Sequence, residues 1–295
     1  MKHYNSLSDY YKSKYGKKVY KLAISGGMTC PNRDGTCGDR GCIFCSAGGS
    51  GEFASPAGLG ISEQLTRAKA LVSAKAGEDA GYIAYFQPYS NTYAAPDRLR
   101  SLYREAIAPD DIVGLSVATR PDCLGEDVLA VLSEINAVKP VTVELGLQTV
   151  HESTARYIRR GYPLTVYDKA VEDLHRIGIE VVTHVILGLP GETPEMMLQT
   201  VRYIGRVTDG IKLQLLHVIE GTDLAGDYRR GVFNTLTLEA YADILCRAIE
   251  VLPPGVVVHR ITGDGAKRDL IAPLWSADKK RVLNYINRVM EDKWG

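Results

Sequence analysis

Long apolar runs are missing from this chain of 295 residues: none approaches the ~18–20 residues that span a bilayer, and the opening MKHYNSLSDYYKSKYGKK lacks the apolar stretch of a signal peptide. The chain is therefore expected to be soluble and cytoplasmic, with no membrane partner. Net charge is missing too, since 35 Lys and Arg balance 35 Asp and Glu, which excludes binding through overall charge. Six cysteines are too few for a disulfide scaffold of this length, and no linker or internal repeat divides the sequence. With 45% hydrophobic residues, the chain can bury a substantial core.

What is present is distributed unevenly. Residues 1–45 carry eight basic side chains, from Lys2 to Arg40, against three acidic ones. Residues 260–295 carry eight against five, Asp264 among the five, which leaves the middle acidic. Basic ends present a basic face to an anionic partner if the fold joins them; otherwise they are solvated surface charge. Cys30, Cys37, Cys42 and Cys45 fall within TCPNRDGTCGDRGCIFC, while Cys123 and Cys246 stand alone and read as structural. A tight cluster ending in Cys-x-x-Cys points to metal or redox chemistry rather than to disulfides.

From Lys18 onward, β-patterned runs at 19–25, 82–87, 112–118, 141–148, 180–188, 211–219 and 256–261 alternate with helical patterns at about 62–76, 96–108, 126–137, 165–177, 194–207, 238–250 and 278–291. Ser62 before Glu63 and Thr165 read as helix starts, and Pro194 suits a first helical turn. Strict alternation predicts an α/β fold of parallel strands closed or partly closed as a barrel. Residues 1–17 read as a basic, Tyr-rich amino-terminal extension, 18–252 as the barrel, and 253–295 as a strand–helix extension packed on it.

Period-two reading predicts what each strand presents. In 141–148, Val141, Val143, Leu145 and Leu147 share one face, and Thr142, Glu144, Gly146 and Gln148 share the other. The same alternation pairs Lys212 with Gln214, His184 with Ile186 and Gly188, and Ser116 with Gly114, Ala118 and Arg120. Barrel interiors are ordinarily filled by branched aliphatic side chains. Charged groups there must be paired or must bind something polar. Two readings follow: a buried ion-pair network such as Lys212 with Glu144, or a polar ligand held at the carboxyl ends of the strands.

The cysteine cluster follows the first strand, on the first βα loop, at the active-site end of such a barrel. Four thiolates can close a zinc knuckle, although zinc ribbons ordinarily use two Cys-x-x-Cys pairs and this cluster has one and no histidine. Three thiolates on a four-iron cluster leave one iron open to a substrate or cofactor.

CPNRDGTCGDRGCIFC, followed by AYFQPYSNTYA, GLSVATRPDCL, VELGLQTVHESTARYIRRG, HVILGLPGET, HVIEGTDLA and HRITGDGAKRDLIAPLWS, resembles the YhcC/YtqA group of radical S-adenosylmethionine (SAM) proteins, whose cluster loop is similar to that of the Elongator catalytic subunit. The resemblance covers nearly the whole chain. It implies a partial (β/α)6-type TIM barrel with amino- and carboxyl-terminal extensions, a [4Fe-4S] cluster and SAM. Cys30, Cys42 and Cys45 are implied as cluster ligands, with Cys37 the competing first ligand. Phe44 is implied near the adenine, with a loop anchor as its other role. Ile186 and Gly188 match the strand edge that meets adenine through its backbone, and His184 stands where that motif has a glycine. Gln148 and Arg160 match residues that help hold SAM, Arg160 having as its alternative a solvated helix-end pair with Arg159. Glu144 is placed to accept from ribose hydroxyls, and Ser116 shares the interior with this cofactor-binding set.

The chemistry so implied is reductive cleavage of SAM to a 5′-deoxyadenosyl radical, which abstracts hydrogen from the substrate, with electrons from an external reductant such as flavodoxin or ferredoxin. The likeness to Elongator implies tRNA as partner, at the wobble-uridine side chain; for YtqA-type members this means remodelling a carboxymethylaminomethyl group toward aminomethyl. Tyr4, Tyr10, Tyr11, Tyr15 and Tyr20, interleaved with lysines, either stack on bases or pack the segment across the barrel. The alternatives are a radical SAM enzyme acting on a small metabolite and a non-catalytic, metal-bound RNA-binding protein.

Overall fold

The β-patterned runs form strands whose apolar faces turn toward helices and whose polar faces turn toward one another. The computed structural model describes residues 3–49, 51, 54–55, 57–77, 79–263 and 267–295. Lys2 and Asp264, and with them residues 265 and 266 of the last quoted stretch, lie outside the described residues. The strands are β1 (Val19–Ile24), β2 (Gly81–Phe86), β3 (Ile112–Thr119), β4 (Val141–Gln148), β5 (Glu180–Leu187), β6 (Gly210–Leu215), β7 (Val218–Ile219), β8 (Val257–Arg260) and β9 (Leu270–Ala272). The helices are α1 (Leu7–Tyr15), α2 (Ile61–Ala76), α3 (Pro96–Ile107), α4 (Glu126–Asn136), α5 (Glu152–Tyr157), α6 (Leu164–Arg176), α7 (Pro194–Ile204), α8 (Asp223–Arg229), α9 (Leu238–Glu250) and α10 (Lys279–Trp294).

Seven strands make one sheet in the order β1-β2-β3-β4-β5-β6-β8, every neighbouring pair parallel, curled into a half-barrel. The expected partial α/β barrel is therefore present, with β8 from the carboxyl-terminal region as a seventh strand. The expected strand over 211–219 breaks after Leu215. Val218 and Ile219 leave the sheet and pair antiparallel with β9, where their backbone groups find partners. Ser62 and Thr165 lie inside α2 and α6, whose N-caps are Gly60 and Pro163; Pro194 does open α7, capped by Thr193, whose side chain accepts from the Met196 N–H.

Outward residues of the strands, including Leu22, Ile24, Phe86, Val143, Leu145, Leu147 and Leu213, join Leu65, Leu99, Leu132, Leu174, Val201 and Ile244 of the helices in one continuous core. Burying each such side chain contributes roughly 1.5–3 kcal/mol. The inner face is thereby left free of a packing duty and carries the polar groups.

The amino-terminal segment folds as α1, held by the Ser6 cap and by Gly16 in the left-handed region at φ 69°. It lies across the amino-terminal end of the barrel: Asn5 O accepts from the Val258 N–H of β8 at 2.8 Å, and Tyr10 and Lys14 both bond Glu180 at the start of β5. Tyr11 is buried, and the Tyr20 hydroxyl donates to the Lys75 carbonyl at 2.6 Å. Tyr11 thus packs the segment across the barrel, while Tyr10 and Tyr20 are half-buried with their hydroxyls bonded to the barrel and α2. His3 and Trp294 sit 5.2 Å apart between ring centroids, so the fold joins the two ends of the chain.

Candidate functional site

Residues 25–60 connect β1 to α2, and a connection of that length carries function more often than it merely joins elements. Its cysteine region is built from internal turns, with Arg33 N–H donating to Cys30 O at 2.8 Å and Cys45 N–H to Cys42 O at 3.0 Å. It is also pinned from outside. Buried Asn32 donates from Nδ2 to Arg159 O at 2.6 Å and reaches Cys42 Sγ at 3.5 Å, while Ile43 N–H donates to Ile158 O at 3.2 Å and Leu224 N–H to Ile43 O at 2.9 Å. Ile43 belongs to a second apolar cluster at the barrel mouth with Ile158, Ile186, Leu216 and Leu224, against which Phe44 packs.

This loop roofs a cavity of about 670 Å³ in the barrel interior. The size falls within the ~300–1,000 Å³ of small-molecule sites. Leu7, Ser8 and Tyr11 form its wall at the amino-terminal end, and Cys30, Cys42, Cys45 and Phe44 line it at the mouth. Cys37 is exposed and is not part of the wall. The structure thus brings three of the four thiols to one cavity and does not assemble a closed four-thiolate site; among the described residues no three His, Cys, Asp or Glu side chains converge as the site of a single metal ion.

Burial pushes the Cys42 thiol up to about 12, and the neighbouring Cys45 adds to it. Thiolate at that position requires compensating positive charge, which an iron–sulfur cluster supplies. Two guanidinium groups stand ready beside it. Burial opposes the charge of Arg33, but Cys45 and Cys30 favour it, and Arg120 is held charged by Asp122 with a contribution from Cys30. Arg33 also donates to Cys45 O at 2.9 Å and to Ser46 O at 2.5 Å, which fixes the last turn. Ser90 is buried in the cavity wall, with its hydroxyl beside the Cys123 thiol. The donor set fits a thiolate-held cluster, and the polar residues of the wall fit a polar cofactor.

The other expected residues divide into three groups. Gln148, His184 and Ile186 line the cavity. Gln148 sits at φ 71°, beside a register shift between Gly146 and Gln148, so the end of β4 is bent where its amide enters the cavity. Arg160 also lines it, but it is neither solvated nor paired with Arg159. Its guanidinium is 2% exposed and donates to Thr149 O at 2.7 Å, Tyr162 O at 2.9 Å and Glu152 at 2.9 Å, so it mainly holds the turn after β4. Ser116 and Gly188 lie outside the wall. Ser116 Oγ donates to Glu144 beneath the surface, and Gly188, at φ 92°, backs onto Leu236.

Glu144 is fully buried and already saturated. Lys21 Nζ at 2.5 Å and Ser116 Oγ at 3.0 Å reach Oε1, while Tyr85 Oη at 2.8 Å, His184 Nε2 at 2.8 Å and Lys212 Nζ reach Oε2. Five donors exceed the roughly four lone-pair sites of a carboxylate. The ion-pair reading therefore describes Glu144, and no acceptor is left over for ribose hydroxyls. Burial alone would raise its carboxyl, but Lys21, Lys212 and His184 hold it well below the usual range. Burial and the nearby Lys212 lower His184 to about 4, so it is neutral near pH 7. Ionised Glu144 cannot donate, so Nε2 carries the proton and Nδ1 accepts from Gln214 at 3.4 Å. Lys212 is lowered to about 7 by burial, against the pull of Glu144.

Period-two reading of β3 to β6 found Glu144, His184 and Lys212 but left out Lys21, Tyr85 and His259, which line the same cavity from β1, β2 and β8. The signal was present: each is the polar or aromatic residue on the inward face of VYKLAI, GYIAYF or VVHR.

Comparison with known proteins follows the same lines. The sequence profile of the radical SAM superfamily matches residues 34–204, and that of the radical SAM C-terminal domain matches residues 208–292. The chain is 42% identical over 293 residues to the protein YtqA of Bacillus subtilis, covering 99% of this chain and 91% of that one. It is 30% identical over 156 residues to a tRNA uridine(34) acetyltransferase of Methanocaldococcus jannaschii, covering 52% of this chain and 28% of that one. The structure of archaeal Elp3 from Methanocaldococcus infernus superposes with a TM-score of 0.70 at 18% identity, covering 93% of this chain and 63% of that one, which establishes a shared fold.

Proposed function

The chain belongs to the radical SAM superfamily, whose members use a [4Fe-4S] cluster and SAM, and from that premise we propose that it modifies the side chain of the tRNA wobble uridine. When bound, the cluster and SAM supply a 5′-deoxyadenosyl radical through one-electron cleavage driven by an external reductant. Cys30, Cys42 and Cys45 are the thiolates proposed to hold the cluster, with Arg33 and Arg120 offsetting its negative charge. Gln148 and Ser90 hold the polar groups of the cofactor, and Phe44 and Ile186 offer the apolar surface against which a purine packs. Arg160 and Asn32 act as positioning residues for the loops that carry these groups.

The observation that carries this reading is the joining of three thiols of one loop to a single deep cavity with a polar wall. The tRNA assignment is supported by the likeness to the tRNA uridine(34) acetyltransferase and by charge at the mouth. Lys279 and Val282 of α10 share a small cleft with Leu215 and Gly263, which themselves line the main cavity, and Lys280 and Arg281 are exposed on the same helix. A nucleotide side chain inserted there leaves its backbone on the basic rim. On the YtqA likeness the reaction is the conversion of a carboxymethylaminomethyl group toward aminomethyl. The test is nucleoside analysis of tRNA from a strain lacking the protein, complemented with wild type or Cys45→Ala. A changed wobble uridine restored by wild type alone is expected, and an unchanged wobble uridine overturns the assignment.

A further inference from the structure

In the amino-terminal half of the cavity two lysines share one carboxylate. Glu144 is the one carboxylate in the cavity wall among the described residues, yet both Lys21 and Lys212 are directed at it. The two ammonium groups flank the Tyr85 ring at 5.0 and 4.8 Å from its centroid. Each uses two of its three N–H donors: Lys21 on Glu144 and Ser116, Lys212 on Glu144 and Tyr85. One N–H on each lysine therefore remains for something that enters the cavity. Beside them the Nδ1 atom of His259 is buried without a partner among the described residues, in the wall of the same cavity. Charge taken out of water must be paired or given up; burial lowers Lys212 to about 7, and an anion entering here favours its charged form instead.

We propose that this floor is an anion subsite, formed by Lys21 and Lys212, that receives a carboxylate of the substrate. One remaining N–H on each of two lysines matches the two oxygens of a carboxylate, whereas a phosphate monoester brings three oxygens and a second charge. A phosphodiester is singly charged, but it is flanked by two nucleosides and cannot reach a floor walled by α1. The thiols that would hold the cluster, and with it the cofactor, lie at the mouth, which leaves the floor to the substrate. Its carboxylate end then anchors against the two lysines while the reacting carbon lies between them and the cofactor. The subsite rests on the reading that this cavity receives the substrate, and it narrows that substrate to molecules with an anionic end.

The test uses the cluster-reconstituted protein with saturating SAM and no reductant, and fluorine NMR of fluoroacetate against its neutral counterpart fluoroacetamide. Fluoroacetate is expected to broaden on binding while fluoroacetamide does not. Lys21→Met and Lys212→Met are each expected to weaken the effect by about tenfold or more. Lys212→Arg, which keeps the charge, retains it, as does Lys75→Ala on the surface. Equal broadening of both probes, none with fluoroacetate, or unchanged binding in the Met variants overturns the subsite. A second arm compares anticodon stem-loops bearing 5-carboxymethylaminomethyluridine or 5-aminomethyluridine. Preference for the first, lost in Lys212→Met, supports the subsite and its tRNA substrate together. Fluoroacetate binding without any stem-loop preference upholds the subsite and overturns the RNA reading.

Discussion

Glu144→Gln removes the one negative charge between Lys21 and Lys212 while keeping the shape of the side chain. Breaking a buried ion pair from one side costs about 3–5 kcal/mol. An independent ceiling comes from Lys212, which can shed its proton instead of remaining charged: moving a lysine of ordinary pKa ~10.4 to the neutral form at pH 6 costs roughly 6 kcal/mol. The loss should therefore be about 3–5 kcal/mol at pH 6. It should also depend on pH in a defined direction. Lys212 titrates near 7 in the wild type, below its unfolded value because burial opposes its charge, and without Glu144 it falls further. Between pH 6 and 9 the unfolded chains keep this proton, the folded wild type releases it around 7, and the folded variant has none to release. Wild-type stability from this group is level below 7 and rises above it, whereas the variant gains across the whole interval. The gap between them thus closes by about 1.4 kcal/mol from pH 6 to pH 9. Urea unfolding of the cluster-free proteins, followed by circular dichroism at each pH, measures it. A gap below about 1 kcal/mol at pH 6, or one that widens with pH, refutes the charge arrangement assigned to the barrel interior.

Three further outcomes are expected. Anaerobic reconstitution of Cys30→Ala, Cys42→Ala and Cys45→Ala should yield little iron and sulfide, whereas Cys37→Ala, altered at an exposed thiol outside the cavity, should match wild type; iron and sulfide analysis decides, and loss in Cys37→Ala would move the first ligand there. Gly188→Ala places a Cβ 3.0 Å from a Leu236 methyl at φ 92°, so thermal unfolding should show a loss of about 1–3 kcal/mol, and an unchanged midpoint contradicts the assigned backbone. Lys280→Glu with Arg281→Glu should weaken tRNA binding in a gel-shift salt series and flatten its salt dependence by roughly one to two phosphate contacts; unchanged slopes move the RNA face elsewhere.

Legibility in the sequence followed the range of the physical cause. The inward placement of Glu144 and Gln148 is local, since alternation along β4 needs only the strand itself. That Lys21, Tyr85 and His259 meet Glu144 depends on strands brought together around the half-barrel, and no short segment contains that information. Arg159 and Arg160 are neighbours of identical chemistry, yet Arg160 is buried and bonded to the turn after β4. The φ of 57° at Arg159 bends the chain between their two environments. That Cys30 lines the cavity while Cys37 is exposed is likewise tertiary, in a loop that Asn32 ties to Arg159 O. The tyrosines before β1 were legible as aromatic and basic; their role came from where α1 lies.

That position of α1 closes the amino-terminal end of the cavity. Leu7, Ser8 and Tyr11 stand where the far exit of an open barrel would be. Passage straight along the barrel is thereby blocked, and the lysine floor is the blind end of a sleeve. What fits is then selected by length as well as by charge, since a ligand too short to span from the mouth to the floor cannot engage both.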